Sequence, residues 1–320
     1  AMNESQWPSA PGSTRSVVVG GGTMGADVAV VLLRASSPTV VVEPDASRHA
    51  DIREKIEGNL RHIGKAGNID LLAVAASLDG VDWPGVGLVI ECVPESLELK
   101  RGLFRELSEK AAPQTVLASN SSSFPISQIA QGLQTRARMI GLHFFMPAHI
   151  VPLVEVVQGP DTDAALAESL AAFMRRCGCV PIVVRKDIPG FVGNRLQHAL
   201  AREAFALIQE GIVSPEDIDA AVRFGFGFRY LAAGPVLQKE HAGLDVHAAA
   251  AATIYPTLSN AAEPAAVLAD KPKQGKLGMK TGEGFYRWDE ASIKAEKQRY
   301  ERALQGSLAI LAKELPPIEP

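Results

Sequence analysis

Residues 16–33 read SVVVGGGTMGADVAVVLL, a β-branched run, three consecutive glycines, a fourth at Gly25 and then a long apolar stretch. Glycine loses more freedom on folding than any other residue. Four in six positions therefore mean either that the backbone turns where no side chain fits or that a ligand approaches it closely. The spacing Gly20-x-Gly22-x-x-Gly25 matches G-x-G-x-x-G, here between a strand and a helix. In that context the first glycine permits the tight turn, the second lets a pyrophosphate reach the backbone, and the third lets helix pack on strand. Thr23 and Met24 open the helix, whose free N–H groups suit the phosphates.

Outward from this stretch, a second β-branched run, TVVVE, covers 39–43 and ends in Glu43. An acid about 20 residues beyond the glycines accepts ribose hydroxyls of NAD and disfavours the 2′-phosphate of NADP. Arg48, close behind, leaves NADP as a minor alternative. Further apolar stretches lie at 86–93, from 115, from 138 and from 151, with helical patterns at 50–65 and 97–112. Strands alternating with helices predict an α/β fold with a Rossmann-like, mostly parallel sheet. After Lys186 strand signals almost vanish, and Ala/Leu-rich helical patterns cover 199–210, 215–224 and 247–259. We therefore expect an NAD-binding domain over 1–186 and a smaller all-helical domain for substrate and dimerisation over 187–320.

The 320 residues are 47% hydrophobic with a formal net charge of -4, enough for a sizeable core and unsuited to nucleic acid or an anionic membrane. Three cysteines, Cys92, Cys177 and Cys179, make neither a disulfide framework nor metal-ligand spacing, so a reducing cytoplasm and no metal are expected. Residues 1–14 are polar and read as a frayed lead-in. They contain no secretory signal, and no apolar run reaches membrane-span length.

His143, in GLHFFMP, and Glu155, in VPLVEVV, sit in neighbouring apolar strands. A buried carboxylate needs a partner, and an acid against His143 fixes the imidazole tautomer and makes a general base. Ser122, in SNSSSF, stands at the C-terminal end of a strand, the edge that faces the ligand crevice in such sheets. Asn194 begins the helical region, where it suits either a substrate contact or a helix cap. His149, His198 and His241 read as structural. Ser122 with His143 also invites a hydrolase reading, but no G-x-S-x-G elbow is present.

At this point the chain resembles the NAD-dependent L-3-hydroxyacyl-CoA dehydrogenases from Ser16 to about Trp288. The motifs are GGGTMG, ECVPESLELKRGLF, SNSSSF, GLHFFMP, PLVEVV, DIPGFVGNR and LGMKTGEGFY. The resemblance implies that His143 is the catalytic base, Glu155 its paired acid, and Ser122 and Asn194 the holders of the reacting oxygen. It implies cofactor contacts from Glu43, Glu95, Lys100 and Lys280, and a homodimer formed through the helical domain. The expected activity is NAD-dependent oxidation of a short 3-hydroxyacyl-CoA. Alternatives are a free 3-hydroxy acid as substrate, or an NAD(H)-binding protein without catalysis. Met146 replaces an Asn usual in the family, the segment after EGNLRHIGKAG is short, and ECVPE and GFRYLAAGP resemble the branch acting on free hydroxy acids (gulonate and carnitine dehydrogenases).

Overall fold

The computed structural model describes residues 7, 8 and 10–320. By its internal contacts the chain divides into two units, 1–193 with 314–320, and 194–313.

The first unit is built on an eight-stranded sheet in the order β3-β2-β1-β4-β5-β6-β7-β8. Its strands are β1 (Arg15–Val19), β2 (Thr39–Val42), β3 (Leu72–Ala75), β4 (Val86–Glu91), β5 (Val116–Ser119), β6 (Met139–Phe144), β7 (Leu153–Val157) and β8 (Val180–Val184). All neighbours run parallel except β6 and β7. The helices are α1 (Thr23–Arg34), α2 (His49–His62), α3 (Leu97–Lys110), a single turn α4 (Ile126–Ile129), and α5 (Ala164–Arg176).

Alternation along each strand divides the apolar side chains between two cores. Val18, Val41, Ile90, Ala118 and Leu142 pack on one face with α1, α2 and α5. Val17, Val19, Val42, Val89 and Leu117 pack on the other with Phe104 and Leu107 of α3. Each fully buried aliphatic side chain contributes about 1.5–3 kcal/mol. Helix α2 shows how little pattern this needs: Ile52, Ile56 and Leu60 form its whole buried stripe at i, i+4 spacing. Helix α1 is different, being buried throughout from Gly25 to Arg34. The chain passes outward from β1 to β3 and then returns to lay β4 beside β1. The C-terminal ends of β1 and β4 therefore flank the switch point where such sheets bind ligands.

The lead-in departs from expectation. Trp7 is 5% exposed and belongs to the core, and Thr14 is buried. Burying the large apolar indole outweighs the cost of ordering the chain at that point. The remainder of that expectation, 1–6 and 9, lies outside the described residues. At the other terminus Glu319 N donates to Arg176 O at 2.8 Å and Ile318 bridges Cys177, which returns the last residues to the first unit.

The second unit is helical. It comprises α6 (Gly193–Gln209, its first residue belonging to the first unit), α7 (Pro215–Ala221), a π-helical turn over Val222–Phe226, α8 (Gly227–Arg229), α9 (Pro235–Ala242), α10 (Leu244–Ile254), α11 (Ala266–Lys273) and α12 (Glu290–Leu311). Among residues 194–313 Ala233 alone is buried. No helix of the described residues is long and apolar enough to cross a membrane.

Candidate active site

A cleft of about 580 Å³ opens over the C-terminal ends of the central strands. Gly20, Gly22, Thr23, Met24, Glu43, Glu95, Lys100, Ser122 and His143 all line it. Its floor is the glycine turn. Gly20 has φ +105°, and a Cβ there would meet Cys92 O at 2.7 Å. A Cβ on Gly25 would lie 1.8 Å from Gly20 O, so only glycine lets α1 start this close to β1. Gly22 has open space where its side chain would be, and it begins α1 with no side-chain cap. The first amides of α1 thus face the cleft without a protein acceptor of that kind. The turn fits a dinucleotide pyrophosphate: an open backbone cradle with helix N–H groups behind it.

Glu43, just past the end of β2, is 7% exposed. Its Oε2 accepts from Gly21 N at 3.1 Å and from Arg48 Nη1 at 3.0 Å, and its Oε1 accepts from Asp45 N at 3.1 Å. On the opposite side of the switch point, Lys100 of α3 is 1% exposed and donates to Glu91 Oε1 at 2.6 Å and Val93 O at 3.2 Å. Glu91 Oε2 accepts from Ser119 Oγ at 2.6 Å. Glu95 accepts from Ser121 Oγ at 2.8 Å and from Ser122 N at 3.1 Å. Together these bonds tie the ends of β4 and β5 to the start of α3 and fix the turn that carries Ser122. Sequence reasoning passed over Glu91, a fully buried acid at the heart of this network, inside the apolar run VGLVIECV.

His143 and Glu155 lie directly opposite one another, because β6 and β7 are the antiparallel pair and their register matches these two residues. Nδ1 of His143 donates to Glu155 Oε2 at 2.7 Å, which leaves the lone pair on Nε2. The ring is 5% exposed, with Phe145 edge-on at 4.8 Å and Phe191 at 5.5 Å between centroids. Glu155 has no solvent exposure. Its second oxygen accepts from Val192 N at 2.9 Å and Gly193 N at 2.8 Å, at the start of α6. Burial pushes the Glu155 carboxyl up. The hydrogen bonds from His143, Gly193 and Val192 more than offset that push and hold it below the usual carboxylate value. The acid is thus a charged orienter, satisfied on both oxygens.

Gly25 lies beneath the turn and Glu155 behind His143, while Asn194 and Lys280 belong to the second unit. Asn194 is half-buried in the first turn of α6, and Lys280 is exposed in the 278–287 turn. A second buried acid, Asp27 of α1, is paired with Lys55 Nζ at 3.1 Å and His149 Nδ1 at 3.3 Å. His149 therefore has the structural setting expected of it. Desolvation pushes Asp27 up, and its bonds with His149 and Lys55 bring it below its ordinary value.

A doubly wound sheet with a dinucleotide cradle and a carboxylate-oriented histidine at its mouth defines an NAD-binding oxidoreductase. The family model for the 3-hydroxyacyl-CoA dehydrogenase NAD binding domain matches residues 16–188, and that for the C-terminal domain matches 190–288. The chain belongs to the 3-hydroxyacyl-CoA dehydrogenase family. It is 34% identical over 286 residues to the mitochondrial hydroxyacyl-coenzyme A dehydrogenase of Homo sapiens, covering 85% of this chain and 90% of that one. It is 31% identical over 307 residues to the 5-formyl-3-hydroxy-2-methylpyridine 4-carboxylate 5-dehydrogenase of Mesorhizobium japonicum, covering 92% and 97%. A solved structure of such a pyridine-carboxylate dehydrogenase, described as an NAD+-dependent dismutase, superposes with a TM-score of 0.87 at 31% identity over 93% of this chain and 99% of that one. The (S)-3-hydroxybutyryl-CoA dehydrogenase of Ralstonia eutropha superposes with a TM-score of 0.70 at 29% identity, over 87% and 100%.

Proposed function

We propose that this NAD-dependent dehydrogenase oxidises a hydroxyl to a carbonyl, or a hydrated aldehyde to a carboxylate, on a small substrate that already bears a free carboxylate, with NAD taking the hydride. The observation that carries the reaction type is the His143–Glu155 pair at 2.7 Å, buried beside the dinucleotide cradle. Bound NAD supplies the hydride acceptor. His143 Nε2 takes the hydroxyl proton, and the Glu155 carboxylate stabilises the imidazolium that results. Ser122 donates a hydrogen bond to the reacting oxygen, its backbone held by Glu95. Glu91 keeps Lys100 in place beside the ribose of the nicotinamide half. Asn194 and Lys280 keep the substrate and cofactor roles that the family resemblance implies.

The free-carboxylate reading is supported by the nearly end-to-end likeness to the pyridine-carboxylate dehydrogenase, by ECVPE and GFRYLAAGP, which resemble the free-hydroxy-acid branch, and by the short segment after EGNLRHIGKAG. A short 3-hydroxyacyl-CoA is the second reading, favoured by the 34% identity to the human enzyme. NADH absorbance separates them. Acetoacetyl-CoA, free 3-hydroxy acids and a pyridine aldehyde carboxylate are assayed side by side. Turnover of the CoA thioester at tenfold or more the efficiency of every free acid would reverse the preference. Turnover of none of them would favour a non-catalytic NAD(H) binder.

We also propose a homodimer formed through residues 194–313. That stretch keeps Phe224 at 72%, Phe228 at 69%, Val236 at 77% and Tyr255 at 71% exposed, with almost nothing buried to offset them. Helices this apolar are stable when they cover one another across a two-fold axis. Three free thiols suit a reducing compartment such as the cytoplasm.

A further inference from the structure

Glu43 stands where an acid is expected to accept the hydroxyls of the adenosine ribose and to repel a 2′-phosphate. Its oxygens already hold three donors. Asp45 N reaches Oε1, and Gly21 N and Arg48 Nη1 reach Oε2. A carboxylate offers about four acceptor positions in all, so both ribose hydroxyls bind bidentately only if Arg48 moves. Among the described residues Arg48 is the fixed cation on the Glu43 carboxylate; His49, the next residue, turns its Nε2 onto Glu43 O at 2.7 Å. Asp45 is turned onto Ser47, Lys55 reaches Asp27 and Thr23 O, and Arg53 donates to Leu72 O and Ile69 O. Besides its bond to Glu43, the Arg48 side chain donates to Gly21 O at 3.3 Å, and it is 47% exposed. It therefore sits on the cleft wall with room to turn.

We propose that Arg48 is a specificity-determining residue of the cofactor cleft. Paired with Glu43, it cancels the charge that would reject a 2′-phosphorylated dinucleotide. Swung away from Glu43, its planar fork supplies the bidentate donor that a phosphate prefers. The protein accordingly discriminates between NADH and NADPH less than an unpaired acid at the end of β2 would. The proposal rests on cofactor binding by the cleft and not on the identity of the substrate.

The test is fluorescence titration of the purified protein with NADH and with NADPH, in the absence of substrate. The wild type is expected to bind NADPH within about a hundredfold of NADH, because the guanidinium offsets the carboxylate. Arg48→Met keeps the apolar stem and should widen the NADPH/NADH Kd ratio by about tenfold or more. Arg48→Lys should recover part of that ratio, since it restores charge without the fork. Glu43→Gln should narrow it. Equal weakening of both cofactors by Arg48→Met, with wild-type NADH binding intact, overturns the proposal alone. Failure of the wild type to bind NADH overturns the cofactor assignment and the proposal together.

Discussion

Replacing Glu155 by Gln changes one atom and should remove most turnover. The geometry dictates how the amide sits. Oε1 of Glu155 accepts from Val192 N and Gly193 N, so the amide oxygen keeps that side. The new NH2 then points at His143 Nδ1, 2.7 Å from the replaced oxygen, and donates to it. The imidazole is forced into the tautomer with its proton on Nε2, and the lone pair that should take the substrate proton is gone. The charge behind the imidazolium is lost as well. Two unit charges about 4 Å apart at an effective dielectric constant of about 20 attract by about 4 kcal/mol, a ceiling that corresponds to about three decades in rate. We expect kcat to fall by about a thousandfold, within the range for a mispositioned base. NADH affinity should change by less than about threefold, because the carboxylate does not line the cleft that holds the glycine turn. Steady-state NADH absorbance and NADH fluorescence titration read the two quantities. The double variant with His143→Ala should be little worse than His143→Ala alone. A loss of less than tenfold, or additive losses, would refute the pairing. The same carboxylate gives a stability signature. Its folded pKa lies below the ordinary 4.5, so its contribution is present above that value and is lost as pH falls through the folded pKa. Acid unfolding followed by circular dichroism should therefore be less steep in Glu155→Gln below about pH 4.5.

Gly25→Ala places a Cβ 1.8 Å from Gly20 O and should weaken NADH binding by more than tenfold or prevent folding; NADH titration beside a thermal melt distinguishes the two, and near wild-type values in both would contradict the turn geometry. Glu91→Gln removes the carboxylate 2.6 Å from the Lys100 ammonium, which is 1% exposed and keeps only Val93 O and the more distant Glu95, and should destabilise the first unit by about 3 kcal/mol, roughly 10 °C in Tm. Glu91→Leu combined with Lys100→Met should recover much of that loss, and a Glu91→Gln protein as stable as wild type would remove Glu91 from the network. Light scattering at micromolar concentration should give the mass of a dimer, and Phe224→Asp with Phe228→Asp should shift it toward monomer. A wild-type monomer would count against the proposed assembly.

The glycine turn, six of the eight strands and the two members of the His143–Glu155 pair were legible because each carries its own local signal. Glycine spacing, β-branched runs and a lone acid in an apolar strand are all visible without knowledge of the fold. Strands β3 and β8 were not, since LAVA has two alanines and a single β-branched residue and VPIVV contains a proline. The antiparallel register of β6 and β7 was equally hidden, and it is what sets His143 opposite Glu155. Glu91 looked like one polar residue in an apolar run. The available signal was Lys100, nine residues on in a helix, which a buried strand acid can reach only if the two pair. Arg48 could be noted near Glu43 in the sequence, but its bond to Glu43 required the turn at 46–48. The near absence of buried side chains in 194–313 follows from tertiary arrangement, and the sequence supplied only the excess of apolar helix surface.

Everything proposed for the reaction depends on His143 acting as the base for hydride transfer to NAD in the cleft above the glycine turn. Comparing kcat and NADH affinity in wild type and His143→Ala, with whichever substrate of the panel is turned over, tests it most directly. Without the base, kcat should fall by about a hundred- to ten-thousandfold while NADH affinity stays within about threefold. A variant that keeps a tenth or more of wild-type turnover would contradict it.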